Sequence, residues 1–425
     1  MVSVKSPMIF QPYWTTANDW TMRNPSADFT NMPAGVTFTS ALAHPMSTTI
    51  GETVMKFDGN SAAHGGSASV FFINNGHNRS SEPTTPPDHA KRWGHRTSFK
   101  LYLGTTAPSS QAVIAERGSN PDWQLCLETD RKLTLKLTNG SALTFASTLS
   151  LTVSTWYQID VWQIFNDSSG AALSAHWWVV QVTSGLGGVL ATTTYITGSG
   201  SLGGYGVGVS FGEAVARGAG FEFYTCNVWS AWEDADNAAG IIRNDRLDPN
   251  GTGRNNTWAS NVPTAIDESG TVVPNTSDFD SVSIYTTNLN TYDLVDANYL
   301  AAGDTVLAVN ISWYWKIDSP VKGGTAQIAF YMDDGVSANV RFNSSSAFGT
   351  GWQQQNQATE LNVAGTAWAL SDVAPLEMGV QAENITAQPN QLISAITTIF
   401  VYQKAGETLP ALPSPTSKRR VGAII

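Results

Sequence analysis

Charge is scarce in this chain: Asp, Glu, Lys and Arg make up 13% of its 425 residues, about half the usual ~25% share. Cysteine is nearly missing. Cys126 and Cys226 are too few for a disulfide framework and stand in no CxxC or Cys/His pattern that would hold zinc, so they read as two reduced thiols in or near a core. No window of about 18 or more uncharged apolar residues occurs, which excludes a membrane-spanning helix. Clustered basic residues are also lacking along most of the chain, with 23 Lys and Arg against 34 scattered acidic residues and a net charge of -11. Nucleic acid is therefore not an expected partner, because neutralising phosphates needs grouped Lys and Arg. The opening MVSVKSPMIFQPYW has one Lys and no continuous apolar stretch, which does not support a secretory signal. Synthesis and folding in a cytoplasm are expected.

Apolar residues are present in quantity, at 42%, but in short runs separated by Gly, Ser, Thr and Asn. In Asp304 to Asp318 (DTVLAVNISWYWKID), Leu307, Val309, Ile311, Trp313, Trp315 and Ile317 fall on one face of a strand, while Asn310, Ser312 and Lys316 face away. Such period-two alternation is hard to fit to a helix. Similar runs predict strands at Val54–Phe57, Ala68–Ile73, Thr97–Leu103, Val113–Glu116, Trp123–Glu128, Lys132–Thr138, Trp156–Ile164, His176–Val182 and Gly220–Val228. Further on they predict strands at Ser281–Thr286, Ala326–Met332, Asn339–Phe342, Met378–Gln381 and Ile396–Gln403, with Asp333-Asp334-Gly335 a hairpin tip. One hairpin can be placed in register. A two-residue loop at Asn139-Gly140 would pair Leu137 with Ala142, whereas a three-residue loop sets Leu137 opposite Leu143 and Leu135 opposite Phe145. The second register is predicted, with Gly140 at positive φ. Helix is confined to single turns at Ser371–Leu376, with Ser371 as its cap, and at Glu233–Ala239.

The expected fold is all-β, with two β-sandwich (jelly-roll) domains in tandem and an extended C-terminal arm. The first domain spans residues 1–240. From Gly240 to Trp258 the periodicity stops and Asn, Asp, Gly and Arg dominate, so 241–258 reads as a linker. The second domain covers 259–404. Residues 405–425 carry Pro410, Pro413 and Pro415, then Lys418-Arg419-Arg420 and a terminal Ile424-Ile425, which makes an extended arm rather than a core.

Ser154 to Val161 (STWYQIDV) resembles the "tWY" strand of laminin-G-like, concanavalin A-type jelly rolls. The polar turn Asn166–Gly170, the strand His176–Val180 and a closing strand Phe221–Trp229 are similar in order to the first domain of bacteriophage tail proteins of this type. Asn290-Thr291-Tyr292-Asp293-Leu294, the Asp304–Asp318 strand and Ala367-Trp368 resemble the second domain of such virion proteins. The resemblance implies a structural, non-enzymatic component of a tailed bacteriophage virion, in a tail, tail fibre or head-attached appendage. It implies a homo-oligomer, trimeric by first choice, packed against itself and other virion proteins after assembly in the host cytoplasm. An alternative is a receptor-binding module for host attachment, whose N-terminal jelly roll recognises a host surface glycan.

No catalytic residue is expected. Glucanases with this type of sandwich place two carboxylates on one face of the sheet, and the nearest approach here, Glu233, Asp234 and Asp236 (WEDAD), reads as a solvated turn after the closing strand. His89 and His95 fall in a polar loop without further ligands in a metal spacing. The other histidines, His44, His64, His77 and His176, complete no motif. No cofactor is expected. A structural calcium has oxygen donors available at Asp58-Gly59-Asn60 or Asp245–Asn250, but no dedicated acidic spacing. Glycine-rich 198–220 lacks the following helix that a phosphate loop needs. Trp156, Trp162, Trp177, Trp178, Trp229, Trp313 and Trp315 lie in predicted strands and read as core or inter-sheet packing. Trp14, Trp93 and Trp352 lie in irregular segments and, with Lys418, Arg419, Arg420, Ile424 and Ile425, are the expected partner contacts.

Overall fold

Short apolar runs broken by turn residues leave the chain one economical way to bury them, as strands stacked face to face. The computed structural model describes residues 4–10, 36–39, 42, 54–59, 71–73, 93–117, 123–137, 143–165, 176–184, 192–196, 209–212, 215–234, 239–247, 249–255, 280–282, 289–294, 300–318, 327–336, 339–346, 353–383 and 391–407. Their regular structure is β-strand, apart from one 3-10 turn at Leu370–Asp372. The fold is all-β.

The first fourteen strands are β1 (Val4–Phe10), β2 (Val36–Thr39), β3 (Val54–Asp58), β4 (Phe71–Ile73), β5 (Trp93–Leu103), β6 (Ala112–Arg117), β7 (Trp123–Leu127), β8 (Lys132–Leu137), β9 (Leu143–Ser150), β10 (Trp156–Phe165), β11 (His176–Ser184), β12 (Thr192–Ile196), β13 (Val209–Phe211) and β14 (Glu222–Asp234). They make an eight-stranded sheet in the order β12-β11-β10-β5-β14-β3-β2, with β1 also on β14, and a six-stranded sheet in the order β4-β13-β6-β7-β8-β9. Phe99, Leu101, Ile159 and Val180 of the larger sheet pack with Ile114, Leu125 and Leu135 of the smaller one in a single buried cluster. The predicted hairpin register is observed: Leu137 pairs with Leu143 and Leu135 with Phe145. Gly140 lies outside the described residues.

The remaining strands are β15 (Ile242–Leu247), β16 (Pro249–Thr252), β17 (Asp280–Val282), β18 (Leu289–Leu294), β19 (Thr305–Ile317), β20 (Gln327–Asp333), β21 (Asn339–Ser346), β22 (Gln353–Thr359), β23 (Glu377–Glu383) and β24 (Gln391–Gln403). They form two five-stranded sheets, β15-β24-β19-β22 with β17 on β24, and β16-β18-β23-β20-β21. Val309, Ile311, Trp313 and Phe400 of one meet Tyr292, Phe330 and Val380 of the other in a second core, where the Trp313 and Phe330 rings stack at 3.6 Å between centroids. The tip at Asp333-Asp334-Gly335 is in place, with Gly335 at φ +70° between β20 and β21.

Four readings of the sequence need correction here. Residues 241–258 are not a simple linker, since β15 and β16 lie within them. Both are edge strands held by ladder bonds to β24 and β18, and an edge tolerates polar residues that hide the alternation. In β19 the register shifts between Val306 and Ala308. This bulge sends Val306 to the second core and Leu307 away from it, into a third cluster. The 3-10 turn is not capped by Ser371; the Asp372 carboxylate instead accepts the Ala369 N–H at 2.7 Å. Finally, Glu233 and Asp234 do not begin a helical turn but finish β14.

The third cluster joins the two sandwiches. Trp229 and Ala231 of β14 and Ala239 after it pack on Ile242, Leu307, Ala308, Ile399 and Val401 of the second unit. Asn310, read as facing away from the apolar side of its strand, is still only 1% exposed because this outer face of β19 is covered too. Cys126 and Cys226 are both buried and unbridged. Of the segment 405–425, only Ala405 to Glu407 are described.

Candidate functional site

A carboxylate in the middle of an apolar strand must find a cation or a set of donors, and Asp160 stands in the middle of WYQIDVWQIF. Its strand neighbours Ile159 and Val161 belong to the first core, so alternation turns Asp160 to the outer face of the eight-stranded sheet. Across the ladder, β5 brings Arg96 to the same face beside it, and the Arg96 Nε donates to Asp160 Oδ1 at 2.7 Å. On the other side of β5, β14 supplies Glu233, whose Oε2 accepts from Arg96 Nη1 at 3.3 Å. All three side chains are 0% exposed.

Glu233 reaches this face through a bulge. The β14 register shifts between Cys226 and Trp229, and Asn227 takes φ +56°, a left-handed conformation that Asn adopts more readily than most residues. Before the bulge Tyr224 and Cys226 share the outer face; after it Trp229, Ala231 and Glu233 do. The Asn227 amide donates to Ile242 O at 3.2 Å, tying the bulge to the first strand of the second sandwich.

The Arg96 guanidinium lies between two indoles, 5.2 Å from the Trp162 ring and 5.4 Å from the Trp229 ring, positions favourable for cation–π attraction. Gly94 leaves room for this, since a Cβ there would sit 2.8 Å from Trp162 Cε3. Arg96 also donates to the chain that crosses between the sandwiches, Nη1 to Ala239 O at 2.8 Å and Nη2 to Gly240 O at 3.1 Å. The Ala239 N–H returns a bond to Glu233 Oε1 at 3.0 Å. Gly240 is pressed against the far end of the second unit: a Cβ on it would lie 2.1 Å from Glu407 O. Glu407 in turn pairs with Arg243, whose Nε donates to Glu407 Oε2 at 3.2 Å. Toward the other side, the Gln158 amide donates to Asp160 Oδ2 at 2.9 Å, and Lys100 Nζ donates to Gln158 Oε1.

Burial opposes the charges of this network. It pushes the Glu233 carboxyl up to about 7 despite Arg96 nearby, and pulls the Lys100 ammonium down to about 7 against the attraction of Asp160. For Arg96, burial alone would lower the pKa; the attraction of Asp160 and Glu233 outweighs it and the net shift is upward. Glu233 thus holds more protons folded than unfolded between its ordinary 4.5 and about 7, so its contribution to stability falls as pH rises through that window. Lys100 holds fewer protons folded than unfolded between about 7 and its ordinary 10.5, so its contribution rises with pH there. Glu233→Gln removes the first limb. The melting temperature of this variant minus that of the wild type is expected to climb between pH 4.5 and 7, checked by thermal melts in matched buffers; a difference independent of pH would count against the assignment.

The residues singled out in the sequence fare unevenly. Trp14, Trp352, Lys418, Arg419, Arg420, Ile424, Ile425, His89, Asp236 and Asn60 lie outside the described residues. Trp93 is not in an irregular segment but opens β5. His95 is not in a loop either: it lies inside β5, 4% exposed, with its Nε2 3.3 Å from Ser230 Oγ. Glu233 and Asp234 are buried at 0% and 3% rather than solvated. Asp58 ends β3 and Asp245 lies in β15, and among the described residues no group of three or more His, Cys, Asp or Glu side chains could hold a metal ion. Trp313 and Trp315 are core residues as read, and Trp162 and Trp229 are buried at the joint. Trp156 is neither; it is half-buried on the outer face. Arg96, Asp160 and Lys100 were missed. The available signal was Asp160 itself, an acid at the centre of an apolar strand.

Family models and curated proteins give no match to the chain. Among solved structures, alginate lyase vAL-1 from Chlorella virus is 10% identical, with 44% of this chain and 87% of that one covered and a TM-score of 0.30. The CBM2 module of the evolved Dit of Lactobacillus casei BL23 phage J-1 is 11% identical over 55% of this chain and 98% of that one, with a TM-score of 0.26. The CBM22-1-CBM22-2 tandem of Paenibacillus barcinonensis Xyn10C is 12% identical over 95% and 100%, at a TM-score of 0.23. At such scores none of them bears on what this chain does.

Proposed function

We propose that the chain is a structural, non-enzymatic component of a tailed bacteriophage virion, built into the particle in the host cytoplasm as a homo-oligomer. The resemblance of its strand motifs to phage tail proteins supplies the biological setting. The observation that carries the mechanical part is the burial of Arg96, Asp160 and Glu233 at the joint, all at 0% exposure. A pair of glycosidase carboxylates must admit both a sugar and a water, whereas this pair is spent on an arginine and on the chain crossing between the sandwiches. Acids used in this way fix the angle between two rigid units, as a load-transmitting protein requires.

Mass spectrometry of purified particles, with copy number by intensity, tests the reading: the chain is expected at several copies per particle. Its absence from particles, or release of reducing ends from host polysaccharide by the purified protein, would reject it. Deleting residues 410–425 is a second measurement. Incorporation into particles is expected to be lost while the melting transition of the purified protein is kept, and normal incorporation would remove that segment from any role in assembly.

A further inference from the structure

The outer face of the eight-stranded sheet is closed at the Arg96 end, where Trp229 and Ala231 meet the second sandwich. At the other end of the same strands it carries a different set of residues. Trp156 of β10 pairs with Tyr102 of β5, Tyr102 with Tyr224 of β14, and Tyr224 with Lys56 of β3. Their chain neighbours Tyr157, Leu101, Phe223 and Phe57 belong to the first core, so these four side chains point outward, and each is only half-buried. Three aromatic rings therefore run in a row across three strands, with centroids 5.3 Å and then 5.6 Å apart. At its end the row meets a polar group. Lys56 Nζ lies 2.5 Å from Glu222 Oε2, and the Tyr224 hydroxyl donates to Glu222 Oε1 at 2.9 Å.

We propose that Trp156, Tyr102 and Tyr224, with Lys56 and Glu222, form a binding strip for a single chain of a neutral polysaccharide. A pyranose ring offers an apolar C–H face and a rim of hydroxyls; aromatic rings in water take the first, and a carboxylate beside an ammonium takes the second through charge-assisted hydrogen bonds. Charge complementarity selects the class of sugar. Glu222 and Asp58, the latter near enough to act on the Lys56 ammonium, outnumber that ammonium, and the whole chain carries -11, so uronates and sialates are repelled. Geometry selects an extended ligand, because three neighbouring strands span about 10 Å at ~4.8 Å per strand. Successive rings are inclined at 52° and 86°, which suits a polymer that twists with the sheet and not a flat crystalline surface.

The strip does not rest on the virion reading, and its failure would leave that reading standing. The test is affinity electrophoresis of the full chain in soluble β-glucan, galactomannan, dextran and alginate, with tryptophan fluorescence titration of any binder. At least one neutral polymer is expected to bind, with little dependence on salt, and alginate is not. Trp156→Ala and Tyr102→Ala are each expected to weaken binding about tenfold or more, a loss of ~1.4 kcal/mol, while Trp156→Phe keeps part of it. Unchanged melting temperatures show that the variants are folded, as half-buried positions outside the core predict. Failure of every neutral polymer, equal binding by the alanine variants, or salt-sensitive binding of alginate alone would overturn the proposal. So would variants that change only the oligomeric state, which would make the strip a contact between copies of the chain.

Discussion

Arg96→Leu is expected to destabilise the protein by about 3–5 kcal/mol, the usual consequence of removing one partner from a buried ion pair. The expectation is at the upper end because two carboxylates lose their cation together: Asp160, which accepts Arg96 Nε at 2.7 Å, and Glu233, already pushed up to about 7 by burial. Ala239 O and Gly240 O also lose their donors, leaving backbone carbonyls unpaired in a dry interior. Chemical denaturation with tryptophan fluorescence measures the loss. A control separates charge from packing: Arg96→Leu combined with Asp160→Leu and Glu233→Leu is expected to recover most of the stability, since an apolar replacement of a whole buried cluster is often near neutral. A loss below about 1 kcal/mol for the single variant, a value typical of exposed pairs, would show that water reaches the joint.

Trp313→Ala is expected to cost about 3–5 kcal/mol through the cavity it leaves. Trp313 is 0% exposed and stacked on Phe330 across the second core. What is informative is how the loss is distributed. If the third cluster and the Arg96 network couple the sandwiches, calorimetry shows one transition that moves down as a whole, although Trp313 belongs to the second core. Two resolved transitions, of which only one moves, would mean that each sandwich unfolds alone and that the joint is weak.

Much of the architecture was legible because alternation is a local signal. Leu133, Leu135 and Leu137 announce their own strand, and a three-residue loop aligns them with Leu143 and Phe145, the pairing observed. The bounds of β19 follow equally from its own residues. What alternation cannot show is a change of phase. The bulge at Asn227 swaps the faces of β14, so that Trp229 and Glu233 leave the sandwich interior for the joint, and the extra residue at Leu307 does the same in β19. Nor can local reading connect Arg96 with Asp160, 64 residues away, or with Glu233, 137 residues away. WEDAD looked solvated because polarity was taken as exposure. A second sandwich over that face makes its end a buried charge site, and only the tertiary fold supplies that information.

The strand that opens the second sandwich and the strand that closes it lie side by side, Ile242 against Gln403, with Gly240 in contact with Glu407. Among the described residues, the first and last strands of this unit thus share one corner. In topological terms the unit is a cassette, removable or exchangeable by a single cut and a single splice at the same corner, without rerouting any strand of the first sandwich. A lineage could swap the whole module while preserving its seat, provided that the newcomer offers apolar residues to Trp229 and the crossing segment keeps its two carbonyls on Arg96.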